Sequence, residues 1–455
     1  MVPPGRQGIK KAKASKSLML KDAFALWVHH TPVNSICQHP AQKKFFDLVY
    51  IDKFRKLEYN TINEQRRSWI GKVYPVGERL CFFYFCPKGL KCMKPEGQVR
   101  IPSGCAIAAV ISRDGKRMSG KMICEAMKPM HDRSNGLGGG FAAYGIYPEY
   151  KDFYALHLFF NERATRKNCE VFLKERFEIV KSEILPTRKI PAITDEPIIW
   201  RYFVTPLRSA LTAMQVDERE FVARTVMKIN TEMPGAYVFS SGKNMGTFKA
   251  VGFPEDVGEF YRLEEYEGYS WTAHGRYPTN TPGWWGGAHP FTLLDYSIVH
   301  NGEISSYDAN RRFIEMFGYK CNLQTDTEVI TYIMDYLLRR QGLSLEEAAS
   351  VIAAPFWSTI QGKDESERQR LSYLRTVFPS LLITGPFSII LGFDGGLMAL
   401  NDRLKLRSMV VGEKNDKVFI ASEEAAIRTM EPEAENIWAP AGGEPVIVTV
   451  KEGAY

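Results

Sequence analysis

A stretch of 32 residues, from Trp271 to Gly302, concentrates side chains that could bind and activate a small carboxylate substrate. Arg276 ends a short apolar run, and a guanidinium can hold a carboxylate through two hydrogen bonds. A loop rich in glycine, proline and tryptophan follows, and such a loop can close over a ligand. Asn301 and Gly302 end the stretch, where a side-chain amide and a backbone N–H can both donate to an oxyanion. The stretch predicts a small-molecule site, but it lacks a nucleophile.

Predicted strands and one helix must position these residues. LLDYSIVH is an apolar strand that runs directly into Asn301, and CAIAAVIS, which begins at Cys105, is a second strand of small residues. The sequence TDT at residues 325–327 predicts the capped start of a long amphipathic helix. GLGGG at residues 136–140 lacks the Lys-Ser/Thr of a phosphate-binding loop, so we expect its backbone to pack closely against a neighbouring site.

Length and charge limit the possible classes of protein. A chain of 455 residues predicts two to three domains. The net charge of +7 is uneven, because residues 1–104 carry 19 Lys or Arg and 7 Asp or Glu, a balance of +12, and the remainder carries −5. The body therefore gives no compositional argument for nucleic-acid binding, and we expect no nucleic-acid partner.

Cysteine usage and hydropathy predict a cytoplasmic protein. Eight cysteines in a chain of this length do not form a disulfide framework. No run approaches the ~18–20 apolar residues of a membrane helix, and the nearest, residues 380–400, is broken by Pro386 and Asp394. That segment predicts paired strands instead, and we expect no membrane association.

Residues 1–104 are predicted to be a basic N-terminal extension or leader that is removed or not translated. The extension contains a group of cysteines that could hold a metal or an iron–sulfur cluster, but C-x4-C-x5-C is not a usual zinc spacing and no C-x2-C pair occurs. The alternatives are a flexible basic extension, or residues translated from upstream of a true start at Met93. The cysteines in question are Cys37, Cys81, Cys86 and Cys92.

Residues 151–250 predict a separate ferredoxin-like α+β subdomain, inserted between residues 105–150 and 251–455. DFYALHLFF and EPIIWRYFV predict strands, NCEVFLKERFEIVKSEI predicts an amphipathic helix, and KIPAIT predicts a short strand. A second helix is expected to begin after Asp217 as its cap, before a final strand, GAYVFSSG. The resulting order, βαββαβ, is that of a ferredoxin-like layer.

The motifs of the body, taken together and in order, resemble the class II glutamine amidotransferases. They are the strand from Cys105, then HDRSNG, AHGRYPTNTPGWWGGAHPF, HNGEIS and QTDTEVI, followed by GPFSIIL, ALNDRLKLRSM and FIASEEAAI. The resemblance covers roughly residues 100–450 and is greatest to the stand-alone amidotransferase subunit of archaeal-type glutamate synthase. It implies an α+β fold, a four-layer αββα sandwich of the Ntn-hydrolase type, with the inserted ferredoxin-like layer and the irregular N-terminal extension.

The resemblance also implies a role for each candidate site residue. Cys105 would be the nucleophile of glutamine hydrolysis once it is the mature N-terminus, and its own α-amino group would be the general base. Asn301 and Gly302 would hold the oxyanion. The remaining residues would bind substrate, with Arg276 on the α-carboxylate, Asp326 on the α-ammonium and a lid formed by residues 277–287. Tyr277, Thr279 and His289 would support binding, and Arg133 would be structural.

Glutamine is thus the expected ligand, and ammonia would pass to separate synthase and accessory subunits of a glutamate synthase-type complex. The chain has no G-x-G-x-x-G and no cofactor of its own is expected, so FMN and an iron–sulfur cluster would reside on those subunits. The acceptor would be 2-oxoglutarate, with an amine as another possibility. If Cys105 is not unmasked, the alternative is a catalytically inactive glutamine-binding or scaffolding subunit.

Overall fold

The computed structural model describes residues 104–278 and 283–453, together with the backbone of two short strands nearer the N-terminus. Those two strands pair as an antiparallel hairpin, β1 (Val73–Val76) and β2 (Arg79–Phe82), within a unit of residues 1–99. Residues 100–455 form a second compact unit. The side chains of Cys37, Cys81, Cys86 and Cys92 lie outside the described part, so the metal hypothesis for them stays untested.

A seven-stranded antiparallel sheet forms the first half of the second unit. Its strands lie in the order β10-β5-β12-β3-β18-β17-β19. Their bounds are β3 (Ala106–Ser112), β5 (Gly139–Tyr144), β10 (Met245–Ala250), β12 (Ser270–Gly275), β17 (Val410–Lys414), β18 (Lys417–Ala421) and β19 (Glu435–Trp438). The strand that begins just after Cys105 therefore lies at the centre of this sheet.

A five-stranded antiparallel sheet forms the other half, in the order β13-β14-β15-β16-β20. Its strands are β13 (Phe291–Leu293), β14 (Tyr296–Gly302), β15 (Phe387–Phe393), β16 (Gly396–Asn401) and β20 (Val446–Thr449). The pair β15 and β16 is the predicted strand pair of residues 380–400. A small two-stranded sheet, β4 (Met118–Ser119) and β11 (Glu267–Gly268), lies apart from both.

The two large sheets face each other across a shared apolar core. Ile107 and Ile111 of β3 belong to the same buried cluster as Val299 of β14 and Ile390 of β15. Successive side chains of a strand point to opposite faces, so Ala106, Ala108 and Val110 face the other way. They pack against buried residues of the first helix and its extension, among them Ile123, Met127 and Met130.

Helices cover the outer face of each sheet. On the helix Asp326–Asp335 (α7), Val329, Ile330 and Ile333 share a cluster with Ile389 and Leu391 of β15. Short 3-10 turns at 128–133, 148–150, 263–265, 285–287 and 379–381 and a π-turn at 336–340 complete the helical segments that are described. The α-helices are α1 (Lys121–Met127), α2 (Arg163–Lys174), α3 (Arg208–Met214), α4 (Glu218–Glu232), α5 (Pro254–Phe260), α6 (Tyr307–Glu315), α7 (Asp326–Asp335), α8 (Leu345–Ile352), α9 (Trp357–Gln361), α10 (Glu365–Val377) and α11 (Glu424–Met430).

A four-stranded sheet, in the order β7-β8-β6-β9, is formed by residues that lie in sequence between β5 and β10 of the seven-stranded sheet. With α2 and α4 it gives the βαββαβ succession and the 2-3-1-4 strand order of a ferredoxin-like unit. Asp217 caps α4 by accepting a hydrogen bond from the N–H of Glu220. Its strands are β6 (Tyr154–Phe160), β7 (Phe177–Ile184), β8 (Ile198–Pro206) and β9 (Ala236–Ser240).

Two local sequence predictions in this unit are wrong. The helix predicted over residues 168–184 ends at Lys174, and FEIVKSEI forms β7, while KIPAIT at residues 189–194 is not a strand. Phe177 is buried and Glu178 exposed, and the alternation continues along the strand, as expected for a sheet with one covered face. The predicted mixed α and β fold is confirmed, whereas the division into a glutaminase domain and an inserted subdomain stays a prediction.

Candidate active site

A cavity of about 280 Å³ opens where the ends of the two large sheets meet. Its lining contains Cys105, Arg276, Tyr277, His289, Gly302 and Asp326, so six of the predicted site residues surround one space. Asn301 precedes Gly302 on β14 and is fully buried. Thr279 lies among residues 279–282, outside the described part of the chain, and its predicted role is untested.

Cys105 immediately precedes the central strand β3, so its position is set by the sheet. The backbone N–H of Tyr277 donates to Sγ of Cys105 over 3.2 Å. Burial raises the pKa of the Cys105 thiol, and the nearby carboxylate of Asp326 acts in the same direction. The N–H of Tyr277 and the guanidinium groups of Arg276 and Arg407 act in the opposite direction. The thiol therefore has a donor and two cations available to stabilise a thiolate.

Arg276 follows the last residue of β12, and only 4 % of it is exposed. Its backbone is held on both sides, because its N–H donates to the carbonyl of Gly138 over 2.8 Å and its carbonyl accepts from Ser134 Oγ over 3.2 Å. Gly138 has φ +153, and a side-chain carbon there would lie 3.0 Å from Cδ of Arg276. The predicted close packing of the GLGGG backbone is thereby confirmed.

Asp326 is the first residue of α7, directly after the capping residue Thr325. The N–H of Ile304 donates to one carboxylate oxygen over 3.2 Å, and Thr327 Oγ1 donates to the other over 3.3 Å. Burial works to raise the pKa of Asp326, but His300, Ile304 and Thr327 outweigh it and hold the pKa below its ordinary value. A half-buried carboxylate that stays ionised at a cavity wall can bind an ammonium group.

Asn301 is the fully buried residue ahead of Gly302 at the end of β14. Neither Oδ1 nor Nδ2 of Asn301 has a hydrogen-bond partner among the described residues. Leaving both atoms unpaired is costly, so such groups call for an explanation by function. Gly302 has φ +156 and a side-chain carbon there would lie 2.0 Å from the carbonyl oxygen of Pro386, which explains why glycine is needed at this position.

Three histidines and one threonine form a cluster that connects the segment after Gly287 to β14, and the sequence analysis did not identify this cluster. The rings of His274 and His289 stack with centroids 4.1 Å apart, and Nε2 of His274 bonds the carbonyl of His300 over 2.9 Å. Thr327 Oγ1 contacts Nε2 of His289 at 2.7 Å and Nδ1 of His300 at 3.1 Å. Burial lowers the pKa of His274 to about 3 and that of His289 well below its usual value, so both rings are neutral and serve as packing and hydrogen-bonding groups.

The turn at residues 285–287 is held by Lys249 of β10. Its Nζ is buried and donates to the carbonyl of Gly286 over 2.9 Å. Burial brings the pKa of Lys249 well below its ordinary value, and Glu328 opposes that change. Glu328 is itself 2 % exposed, and burial raises its pKa to about 7. The buried side chain of Lys249 therefore supports the turn that carries Trp285 and Gly286.

Arg133 lies beside Cys105 without lining the cavity. Its Nη1 forms an ion pair with Glu423 at 2.8 Å, and its Nη2 donates to the carbonyl of Cys105 over 3.5 Å. Across residues 104–278 and 283–453, no group of three His, Cys, Asp or Glu side chains is placed to hold a metal ion. In the same ranges no helix has the length and apolar character needed to cross a membrane.

Comparison with known proteins identifies the family. The model of the class-II glutamine amidotransferases matches residues 144–451, a range that contains Arg276, Asn301 and Asp326 but begins after Cys105. A protein of Archaeoglobus fulgidus, itself uncharacterised, is 49% identical over 350 residues, which are 76% of this chain and 92% of that protein. The amidophosphoribosyltransferase of Methanocaldococcus jannaschii is 27% identical over 218 residues, 47% of this chain and 40% of that enzyme.

Among solved structures, glutamine phosphoribosylpyrophosphate amidotransferase from B. subtilis matches 76% of this chain and 47% of its own, with 12% identity and a TM-score of 0.38. That likeness is too distant to carry an argument by itself. The family match extends over more than half of the chain, so the chain belongs to the class II glutamine amidotransferases. Members of this family are enzymes that hydrolyse glutamine, and they pass the ammonia to an acceptor.

Proposed function

We propose that this chain hydrolyses glutamine to glutamate and ammonia with Cys105 as an N-terminal nucleophile. The observation that carries the proposal is the convergence, on one cavity, of a thiol, a buried guanidinium and an ionised carboxylate, next to an amide without a partner among the described residues. A glutamine molecule needs each of them: a nucleophile for its side-chain amide, charges for its α-carboxylate and α-ammonium, and donors for an oxyanion.

The reaction proceeds in two steps. The α-amino group of Cys105 accepts the thiol proton while Sγ attacks the carboxamide carbon of glutamine, and Nδ2 of Asn301 with the N–H of Gly302 donates to the oxyanion. The intermediate collapses to a thioester as the carbon–nitrogen bond breaks, and the same proton passes to the leaving ammonia. Water then adds to the thioester with the amine as base, which releases glutamate and restores the thiol.

Binding of the amino-acid end of glutamine falls to two charged residues. Arg276 pairs with the α-carboxylate, and Asp326 accepts hydrogen bonds from the α-ammonium. Tyr277 and His289 support this end of the cavity, and Thr279 belongs to the lid in the proposal. Closure of residues 277–287 would keep water from the thioester and ammonia from bulk solvent.

Activity in this form requires cleavage of the Gly104–Cys105 peptide, because an amide nitrogen cannot act as a base. We therefore propose that residues 1–104 are removed and that the mature chain begins at Cys105. Ammonia would pass to a partner synthase of the glutamate synthase type, with 2-oxoglutarate as acceptor, and FMN and an iron–sulfur cluster on the partner subunits. An amine acceptor on a different partner remains the competing proposal.

The test combines an intact-mass measurement with a glutaminase assay on wild type, Cys105→Ala and Cys124→Ala. Cys124 provides the matched control, because it lies on α1 outside the lining of the cavity. We expect a mature N-terminus at Cys105, full activity in Cys124→Ala and none in Cys105→Ala. Active protein that retains Met1 or Met93 would overturn the proposed nucleophile.

A second proposal is a catalytically inactive glutamine-binding or scaffolding subunit, and the position of Gly104 favours it. A side-chain carbon at Gly104 would lie 2.7 Å from Oδ1 of Asn301, so the uncleaved backbone passes beside the oxyanion amide. Under this proposal the purified wild type and Cys105→Ala bind glutamine equally, and neither releases glutamate.

A further inference from the structure

Arg407 lies on the N-terminal side of Cys105. A side-chain carbon at Gly104 would lie 2.9 Å from Nη1 of Arg407 and 2.7 Å from Oδ1 of Asn301. Both separations are shorter than normal contacts of a carbon atom, so the backbone ahead of Cys105 passes between a guanidinium and an amide. Because Gly104 is bonded to Cys105, these two groups border the position of the Cys105 nitrogen.

A row of buried polar side chains fixes the backbone of Arg407. Nδ2 of Asn401 donates to the carbonyl of Arg407 over 3.2 Å, and Oδ1 of Asn401 accepts from Ser388 Oγ over 3.0 Å. Ser388 lies directly opposite Asn301 in the pairing of β14 with β15, and opposite Asn401 in the pairing of β15 with β16. Asn301 lies on β14, Ser388 on β15 and Asn401 on β16. The pairing of these three strands therefore connects Asn301 to the backbone of Arg407.

The guanidinium of Arg407 has no carboxylate partner in the described ranges, and its buried Nε has no hydrogen-bond partner there. Among the other charged groups near Cys105, Arg133 pairs with Glu423 and also donates to the carbonyl of Cys105, while Arg276 and Asp326 line the cavity. The charges of Arg276, Asp326 and Arg407 all act on the thiol, and His300 and Glu303 also line the cavity. Arg407 is thus a cation that borders the chain end and has no carboxylate partner in the described ranges.

We propose that Arg407 positions the α-amino group of Cys105 and favours its neutral, basic form. The proposal rests on the proposed function, because it concerns the amine that cleavage would create. Standard bond lengths place the nitrogen of Cys105 within about 3.4 Å of the side-chain position of Gly104, and so within about 6 Å of Nη1 of Arg407. A guanidinium can donate to the lone pair of a neutral amine, but it repels an ammonium, while Oδ1 of Asn301 can accept an N–H of the amine.

The experiment compares Arg407→Gln, which removes the charge, with Arg407→Lys, which retains it, in the full-length protein. Lys405→Gln is the matched control, because it removes one positive charge from the same loop between β16 and β17. The N-terminus of each protein is first established by intact mass. Then kcat/KM for glutamine hydrolysis is measured from pH 5.5 to 9, where the acidic limb reports the base of the free enzyme.

We expect the acidic limb of Arg407→Gln to move about one pH unit upward, as loss of a cation about 6 Å away predicts, with most of the activity restored at high pH. The limbs of wild type, Arg407→Lys and Lys405→Gln should coincide. Arg407→Met, which keeps the aliphatic stem, repeats the measurement if the glutamine variant does not fold.

Three results would overturn the proposal. An unmoved limb in Arg407→Gln would show that the guanidinium does not act on the base. An equal shift in Arg407→Lys would show that charge is not the cause. If the Arg407→Gln chain keeps residues 1–104, Arg407 acts in cleavage of the Gly104–Cys105 peptide bond and not on the amine. A wild type without glutaminase activity or without cleavage would be different, because it would refute the proposed function itself.

Discussion

Replacement of Asn301 by alanine tests whether its buried side chain serves catalysis or stabilises the fold. The amide of Asn301 is fully buried, and neither polar atom has a partner among the described residues. Each such atom costs about 1–3 kcal/mol, a cost that the truncation removes. The cavity left behind costs on the order of 1 kcal/mol. We therefore expect the free energy of unfolding to be unchanged or slightly higher.

Activity should respond in the opposite way. Loss of one oxyanion donor lowers kcat by about 10²–10³, which corresponds to about 2.7–4 kcal/mol of transition-state stabilisation. The matched control is Asn401→Ala, an equally buried asparagine on the same sheet. Its side chain donates to the carbonyl of Arg407 and accepts from Ser388. Breaking these two hydrogen bonds should lower the free energy of unfolding by about 2–3 kcal/mol.

Both variants are assayed for glutamate release and for the midpoint of urea unfolding on protein whose N-terminus has been established. The reasoning fails if Asn301→Ala loses as much stability as Asn401→Ala. It also fails if Asn301→Ala keeps kcat within about threefold of wild type, because an oxyanion donor cannot be removed at so small a cost.

Three further predictions concern residues in and around the cavity. Asp326→Asn should raise KM for glutamine about 10- to 100-fold with a smaller change in kcat, because it removes the charge that holds the α-ammonium; steady-state kinetics test this, and an unchanged KM contradicts it. Gly138→Ala should also raise KM, since its new carbon meets Cδ of Arg276 at 3.0 Å in a left-handed backbone conformation. Isothermal titration measures glutamine binding to the Cys105→Ala protein with and without Gly138→Ala, and equal affinities would contradict the packing argument. Burial raises the pKa of Glu328 from 4.5 to about 7, so the folded chain keeps this proton to higher pH than the unfolded chain. The resulting stabilisation is complete below about pH 4.5 and is lost as the pH rises through 7, by about 3 kcal/mol at most; Glu328→Gln should remove this decline, and parallel unfolding curves for the two proteins between pH 5 and 8 would disprove it.

The candidate site residues that lie in contiguous motifs could be predicted from the sequence. AHGRYP and HNG each place a functional type of side chain at the end of an apolar run, so Arg276 and Asn301 could be located at strand ends before the fold was known. Asp326 follows a threonine in a typical helix-start pattern, which located it at a helix terminus. Local patterns of this kind depend on neighbours along the chain, and such neighbours are visible in a single sequence.

Contacts between segments that are distant in sequence could not be predicted from the sequence. Thr327 bridges His289 and His300 only because α7 packs on the second sheet, and nothing in its own pattern distinguishes it from a helix cap. Arg407 lies within a motif that contributed to the resemblance, yet its approach to Gly104 depends on pairing across three strands. The mistaken helix at residues 168–184 has a similar origin, because FEIVKSEI follows a helix without a glycine or proline to mark the change of period.

The central position of β3 limits the conformational entropy of the chain end that cleavage before Cys105 would create. Ends of protein chains usually fray, and a frayed amine would have to be ordered again in every catalytic cycle. Here the strand that begins at Ala106 pairs with β12 on one side and β18 on the other. Ile107 is additionally held by Ser422, whose Oγ accepts from its N–H over 3.1 Å and whose N–H donates to its carbonyl over 2.9 Å. A chain cut before Cys105 would therefore begin one residue from a strand that cannot fray without opening the sheet, and its terminal amine would be ordered before glutamine arrives.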